Sequence, residues 1–445
     1  MHLRTHVDMR GLYMAVVCTI LAMPVAAAAQ DKQQQGPMTL PEALQKAREN
    51  NYALQRARGE VERLKGEEIH ASRLVPSNPK VSVKGADREA PQTNFNDIGI
   101  EIRQEVWIAG QGGLAEDAAS ARVASAQAKL DFLTTTTTAR TRKAFMELLV
   151  ARRAVETARQ VLAMSRKLER YVQKRLESGE ATQLEANNAA IAVGKARTRL
   201  TEAQKKRKQA KLQLAEHLSI SPTRNIAIKG KLTPAQLDIG DRGQLLRKAL
   251  KRRQDLVAAA KEVVAARESL RLSRREIIPN LEFFGFAEDE GPNEVVGGGI
   301  AMDLPVLHRR SGENKAAKAE MRKAEINRDA LRLDIRREVL DAVARYEAAR
   351  ERVDVMSDKL LSRAQENVDL TRKAFEAGRL GISALTTMQN DLLDVRQSYL
   401  SALRDMISAG SALERATGGL IAIRAGSAKR DNTIKDGQND KETQQ

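Results

Sequence analysis

The sequence predicts a mainly α chain with a small β part, built from one unit used twice. Three observations carry that reading. First, landmarks recur about 200 positions apart: Pro79 and Pro279, Ile100-Glu101-Ile102 and Ile300-Ala301-Met302, Glu177-Ser178-Gly179 and Glu376-Ala377-Gly378. Such self-similarity marks a repeat architecture. Second, aromatics are only 3% of the 445 residues and charged residues 30%. In a chain rich in Ala, Leu, Arg, Lys and Glu, that balance suits long helices packed on narrow seams. Third, each proline opens a short stretch in which polar and apolar residues alternate, as in strands with two different faces.

The first unit is expected over 30–230 and the second over 231–419. Residues 1–29 precede them as an export leader. Arg4 and Arg10 form its basic end, Gly11 to Val25 its apolar run and Ala27-Ala28-Ala29 its small-residue cleavage site. That run is too short to cross a membrane as an anchor. Cys18, the only cysteine, lies inside it, so the mature chain has no disulfide or thiolate chemistry. The formal charge of +17 is dispersed along helices with Glu and Asp between the basic residues. It reads as solvated helix faces, and a nucleic-acid partner does not fit an exported chain.

Within the first unit, Thr39 and Glu42 form a capping box at the start of a short helix. A second helix runs from about Tyr52 to Leu74 and stops at Pro76 and Pro79. Strands follow at about 79–87 and 97–107, separated by a loop rich in Asn, Asp, Pro and Gln. A very long helix extends from about Gly113 to Glu177, with a coiled-coil seam at Leu148, Ala151, Val155, Ala158, Leu162 and Ser165. Thr134 to Thr138 is a locally weak stretch of that helix, because β-branched residues lose rotamer freedom there. Gly179 breaks the helix, and the chain returns from about Thr182 to Leu218.

The second unit follows the same plan. A helix from about Gln254 to Ile277 precedes strands at about 279–288 and 295–305, the later one with Val296, Ile300, Met302 and Leu304 on one face. One long helix is expected from about Ser311 to Glu376, an elbow at Gly378, and a returning seam through Leu385, Met388, Leu392, Val395, Tyr399, Ala402, Met406, Ala409 and Leu413. Residues 420–445 form a polar tail of disordered composition. In the first unit the long helix has about 65 residues, about 100 Å. The two shorter helices together have about 60. Stacked end to end, they match the long one and make a tall wall of paired columns.

The strands have the length that crosses a bilayer when tilted. Their apolar residues alternate with Glu101, Arg103, Glu282 and Asp303, so one face suits lipid and the other an aqueous lumen. Phe95, Trp107, Phe283, Phe284 and Phe286 fall in or beside the strands, as residues of membrane interfaces do. Four strands cannot close a membrane barrel, and an open edge in lipid leaves backbone groups unpaired. Two chains would supply eight strands, whose interior side chains would fill; three would supply twelve and leave a channel. The expected assembly is a homotrimer: an α-barrel continued by a twelve-stranded transmembrane β-barrel. The alternative on this basis is a pair of surface hairpins on a coiled-coil protein.

The chain resembles the outer membrane efflux protein (TolC) family over about Thr39 to Gly418. The resemblance rests on TLPEALQKARENNYAL at Thr39 to Leu54, the proline-led NPKVSV and IPNLEF, and the elbows ESGEATQLEANNA and EAGRLGISALTTMQNDL. QEVWIAGQGG at Gln104 to Gly113 is most similar to members serving heavy-metal exporters. The resemblance implies an exit duct in the outer membrane that extends into the periplasm and receives substrate from an inner-membrane pump through a periplasmic adaptor. It places adaptor docking at Ser178, Gly179, Glu180, Ala181 and Thr182, and at Gly378, Arg379, Leu380, Gly381 and Ile382. It also implies a periplasmic constriction. Some members narrow the tunnel with acidic residues about two turns past the second elbow, where this chain has Leu385 and Met388, with Asp391 and Asp394 farther on. An apolar constriction backed by an acidic ring is one reading; Leu385 and Met388 as plain seam residues is the other.

No constellation of catalytic residues stands out, so an enzyme is not expected, and neither is a cofactor. His70, His217 and His308 are far apart in sequence and lack neighbours at metal-ligand spacing, so no metal site is expected. The glycine run in VVGGGIAMDL has no phosphate-loop lysine after it, and small residues crowded inside a barrel explain it better. A periplasmic coiled-coil scaffold or adaptor remains the other class, although it has no need of alternating strands with aromatic edges.

Overall fold

The computed structural model describes residues 36–424 except 91–92, 225, 233–235, 291–292, 308, 357 and 422. The expected leader, nearly all of the polar tail, His308 and the side chain of Phe95 lie outside the described residues. The first unit comprises α1 (Leu40–Asn50), α2 (Tyr52–Ala71), β1 (Lys80–Ala90), β2 (Thr93–Val106), α3 (Gln111–Glu177) and α4 (Gln183–His217). The second comprises β3 (Gln236–Leu237), α5 (Arg242–Arg252), α6 (Gln254–Arg275), β4 (Leu281–Glu290), β5 (Asn293–Met302), α7 (Ser311–Val355), α8 (Asp358–Glu376) and α9 (Ile382–Ala416). The short strand β6 (Ile423–Arg424) pairs with β3.

Local chemistry explains the boundaries. The Thr39 backbone N–H donates to the Glu42 carboxylate at 2.9 Å, so the capping box forms. The 67 residues of α3 span about 100 Å at 1.5 Å per residue. Its threonine run holds because the hydroxyls of Thr134, Thr135 and Thr138 donate to carbonyls four residues back, at 2.8, 3.1 and 2.8 Å. The second long helix departs from expectation. It is two helices, α7 and α8, interrupted at Met356. The helix resumes at Asp358, and Asp favours a helix start over a helix interior.

The shorter helices stack end to end. At the foot of α2 the Asn51 amide donates to the last carbonyl of α4, His217 O, at 3.0 Å. Tyr52 N–H donates to Ser219 Oγ at 3.2 Å. At the foot of α6, Arg253 donates to Ala416 O, the last carbonyl of α9, at 3.1 Å. Packing is spread along the rod instead of gathered in one core. One cluster joins α1, α3, α4 and α9 around Phe145, Leu149, Leu214 and Leu403. A second joins α5, α6, α7 and α9 around Ile335, Tyr346 and Leu413. The units are fastened through α3. Ser125 Oγ donates to Ala258 O at 3.0 Å, Ser411 Oγ to Ala139 O at 3.1 Å, and Arg142 pairs with Glu414 at 3.0 Å.

The four longer strands form one antiparallel sheet in the order β1-β2-β4-β5, so the two hairpins join through β2 and β4. Strands extend farther toward the hairpin tips than expected, to Ala90 and Glu290, and β5 stops at Met302, short of Leu304. Among the described residues, β1 and β5 have a partner on one side only.

Candidate functional site

Alternation in register gives the sheet two chemically distinct faces. Val81 lies opposite Ile102, Val83 opposite Ile100, and Phe283 opposite Ile300. With Ile98, Val296 and Met302 they make a continuous apolar face. Every one of these side chains is between 45% and 82% exposed. Water does not favour nine such residues on one sheet face. Asp87 and Asp289 enter that face near the hairpin tips and bound it.

The opposite face carries the expected polar residues. Arg103 pairs with Glu101 and, at 2.9 Å, with Glu282. Lys84 Nζ lies 3.6 Å from Glu101, whose side chain is nearly buried. Asp303 is not among them: it follows the end of β5 and is exposed. Phe284 and Phe286 also lie on this face, whereas Phe283 points to the apolar side. Their rings stack at 6.5 Å directly opposite Gly299 and Gly297. A Cβ at Gly297 would come 2.5 Å from the Phe286 ring and one at Gly299 2.7 Å from the Phe284 ring. The glycine run therefore admits aromatic rings over bare backbone. The Arg103 guanidinium sits 5.5 Å from the Phe284 centroid. Glu282, Phe284 and Phe286 share even numbering, the parity signal that places these rings with the acid.

At the far end of the rod are two glycine elbows. Gly179 and Gly378 have φ of 76° and 70°, a left-handed conformation that glycine adopts without strain. Glu180 N–H donates to Arg175 O at 2.7 Å, and Arg379 N–H to Ala374 O at 2.9 Å. Arg175, which the sequence does not single out, also donates to Glu180 O at 2.9 Å and locks the first elbow. Thr182 caps α4 in a second capping box, with Glu185 accepting from its N–H at 2.8 Å. Ser178, Gly179, Glu180, Thr182, Gly378, Arg379, Leu380 and Gly381 are exposed, and Ala181 is half-buried.

Ile382 and Leu385 point inward. Each is 2% exposed, and both pack with Leu168, Val172, Ala189 and Phe375, which ties the two hairpins together. Tyr171 meets Phe375 edge-on at 5.6 Å. Leu385 is thus a seam residue within this chain. Met388 is half-buried and Asp391 exposed; Asp394 is exposed as well, with Arg199 at 3.8 Å.

His70 accepts contact from Arg73 at the surface end of α2, and His217 is half-buried at the end of α4. Among the described residues no group of three His, Cys, Asp or Glu side chains could hold a metal ion. No helix among them is long and apolar enough to cross a membrane.

The sequence model of the family described as outer membrane efflux protein matches twice, over residues 43–219 and 245–419. The cobalt-zinc-cadmium resistance protein CzcC of Cupriavidus metallidurans is 24% identical over 387 residues, covering 86% of this chain and 90% of its own. The outer membrane efflux protein BepC of Brucella suis is 23% identical over 406 residues, 87% of each. In structure, the open-state MtrE outer membrane channel of Neisseria gonorrhoeae superposes with a TM-score of 0.73 at 17% identity, over 85% of this chain and 89% of that one. That likeness is one of fold.

Proposed function

This chain belongs to the outer membrane efflux protein family, and from that premise we propose that it is the exit duct of a tripartite efflux system. Members of the family are transporters, not enzymes. Three copies close a twelve-stranded barrel in the outer membrane, four strands from each, and their helices continue it as a tunnel into the periplasm. An inner-membrane pump loads the duct through a periplasmic adaptor that docks on the exposed elbow residues. The similarity to CzcC supports heavy-metal cations as cargo. Met388, Asp391 and Asp394 form the periplasmic narrowing, with Leu385 holding the hairpins behind them.

The observation that carries this reading is the four-stranded sheet with an exposed apolar face and two edges that have no partner among the described residues. In lipid the apolar face is favourable, but the free edges are not, so copies must share the sheet. A second feature agrees: Ile326, Leu333 and Leu340 lie exposed on α7 at seven-residue intervals, a seam that lacks its other half among the described residues. A soluble scaffold or adaptor would leave both surfaces in water.

Native mass spectrometry of detergent-extracted outer membranes tests the assembly. The expected species has three times the chain mass and conducts ions in planar bilayers. A periplasmic monomer extracted without detergent would overturn the proposal. Removal of the chain from its host is expected to increase sensitivity to cobalt, zinc or cadmium. Unchanged tolerance to all three would remove the metal cargo and leave the duct.

A further inference from the structure

The proposed duct needs β5 of one chain to pair with β1 of the next, and the internal repeat specifies the register of that seam. The two hairpins of the chain are numerically superposable. Val81 pairs with Ile102 and Leu281 with Met302; Val83 pairs with Ile100 and Phe283 with Ile300; Gly85 pairs with Ile98 and Gly285 with Gly298. Every position of the second hairpin is the first one moved by 200. The chain therefore already contains one junction between neighbouring units, the β2–β4 seam. There Ile102 lies opposite Gly285, Arg103 opposite Phe284 and Gln104 opposite Phe283.

We propose that the seam between protomers repeats this internal junction, with Met302 opposite Gly85, Asp303 opposite Lys84 and Leu304 opposite Val83 of the neighbouring copy. The inference rests on the exit-duct reading and names the pairing that reading requires.

Three features of the chain agree with this register. It keeps the faces consistent: Met302 and Leu304, 47% and 70% exposed, meet Gly85 and Val83 on the apolar side. A slip by one residue would move every side chain of one strand to the wrong face. It also accounts for the length of β5. β2 continues to Val106 because β4 accompanies it there, and Val106 lies opposite Leu281. The equivalent continuation of β5, residues 303–306, has no accompanying strand among the described residues of one chain and leaves the sheet after Met302. Leu304 and Val306 stay exposed as a result.

The third feature is charge. Asp303 comes to lie directly across from Lys84 on the polar face, where Lys84 already approaches Glu101 at 3.6 Å. Slips of two residues preserve the faces but set Asp303 against Ser82 or Ala86 and forfeit that pairing. Pro305 cannot donate a ladder hydrogen bond, so the added pairing is best read at 302–304.

Cysteine pairs test the register in the full chain, with Cys18 changed to Ser. The pairs are Asp303→Cys with Lys84→Cys and Met302→Cys with Gly85→Cys. Directly opposed residues alternate between wide and close spacing, so one of the two pairs has the close geometry. Mild oxidation is expected to give a reducible, covalently linked trimer from that pair. Asp303→Cys with Ser82→Cys, or with Ala86→Cys, should give none. Cross-linking confined to these slipped pairs, or none from any pair in a preparation that native mass spectrometry shows to be trimeric, would overturn the register and leave the duct standing. A monomeric preparation would overturn both.

Charge exchange is the second readout. Asp303→Lys and Lys84→Asp should each lower the trimer surviving a detergent challenge by roughly threefold or more, as like charges face each other across strands. The double exchange should restore it. Failure of the double variant to recover, with both singles impaired, would count against the pairing.

Discussion

The two column junctions of this molecule perform one task with opposite chemistries. In each, a short helix sits on the end of a returning helix, and that helix's last carbonyls need donors. The first junction uses Asn51. Its side-chain oxygen accepts from Ala53 and Leu54 N–H at 3.0 and 3.3 Å, and its amide donates to His217 O. One small neutral group thus caps one helix and closes the other. The second junction uses Arg253, which caps nothing. Its guanidinium donates to Ala416 O, pairs with Asp255 at 3.0 Å and Glu338 at 2.6 Å, and lies 5.1 Å from the Phe132 centroid. At 4% exposure it is a buried cation that depends on its carboxylates. Asn51 is replaceable in parts, whereas Arg253 works only as a set.

Arg253→Ala is the most damaging single change at either junction. It leaves Asp255 without its cation and Ala416 O without its donor, and removal of one partner from a buried pair costs about 3–5 kcal/mol. Thermal unfolding followed by helical circular dichroism should show this as the largest single loss among the junction variants. If the loss is no greater than that of Asn51→Ala, the buried-cation account of the second junction fails.

Asn51→Ala should cost about 0.5–2 kcal/mol, the usual range for a lost N-cap, with His217 O left for water to solvate. Arg253→Asn is the intermediate case. It transplants the solution of the first junction into the second and should recover part of the Arg253→Ala loss. A variant as unstable as Arg253→Ala would show that the second junction cannot use a neutral cap.

Particular residues show why some of this was legible in sequence. Gly179 and Gly378 announced their elbows because the left-handed turn at a helix end selects glycine. The strands were legible through alternation, and the capping box at Thr39 through spacing alone. The break at Met356 was hidden because no proline or glycine marks it, while the more conspicuous Thr134 to Thr138 stays helical through its own hydroxyls. Leu385 was ambiguous because a heptad position states that a side chain is on a seam but not which helix lies across it. Arg253 was invisible as a structural residue. Arginine reads as solvent-facing until Asp255, Glu338 and Phe132, the last two from other helices, are seen around it.

Acidification offers the finest separation of the two junctions. His217, half-buried at the first, has its pKa pushed below the ordinary value by burial, with Arg140 and Lys143 acting in the same direction against Glu216. The neutral ring therefore belongs to the folded state. Its contribution is present above about pH 6.5 and is lost as pH falls through that value toward the lower folded pKa. Glu414, two residues before Ala416 at the second junction, has its pKa raised by burial despite Arg142. Its contribution has the opposite sign: present below the ordinary carboxylate range, and lost as pH rises through the folded pKa. Between pH 7.5 and 5, His217→Gln should flatten a decline in melting temperature on the order of a degree, and Glu414→Gln should steepen it by removing the compensating gain. Identical pH slopes for both variants and the parent would mean that neither group is held by burial, and the electrostatic contrast between the junctions would then rest on Arg253 alone.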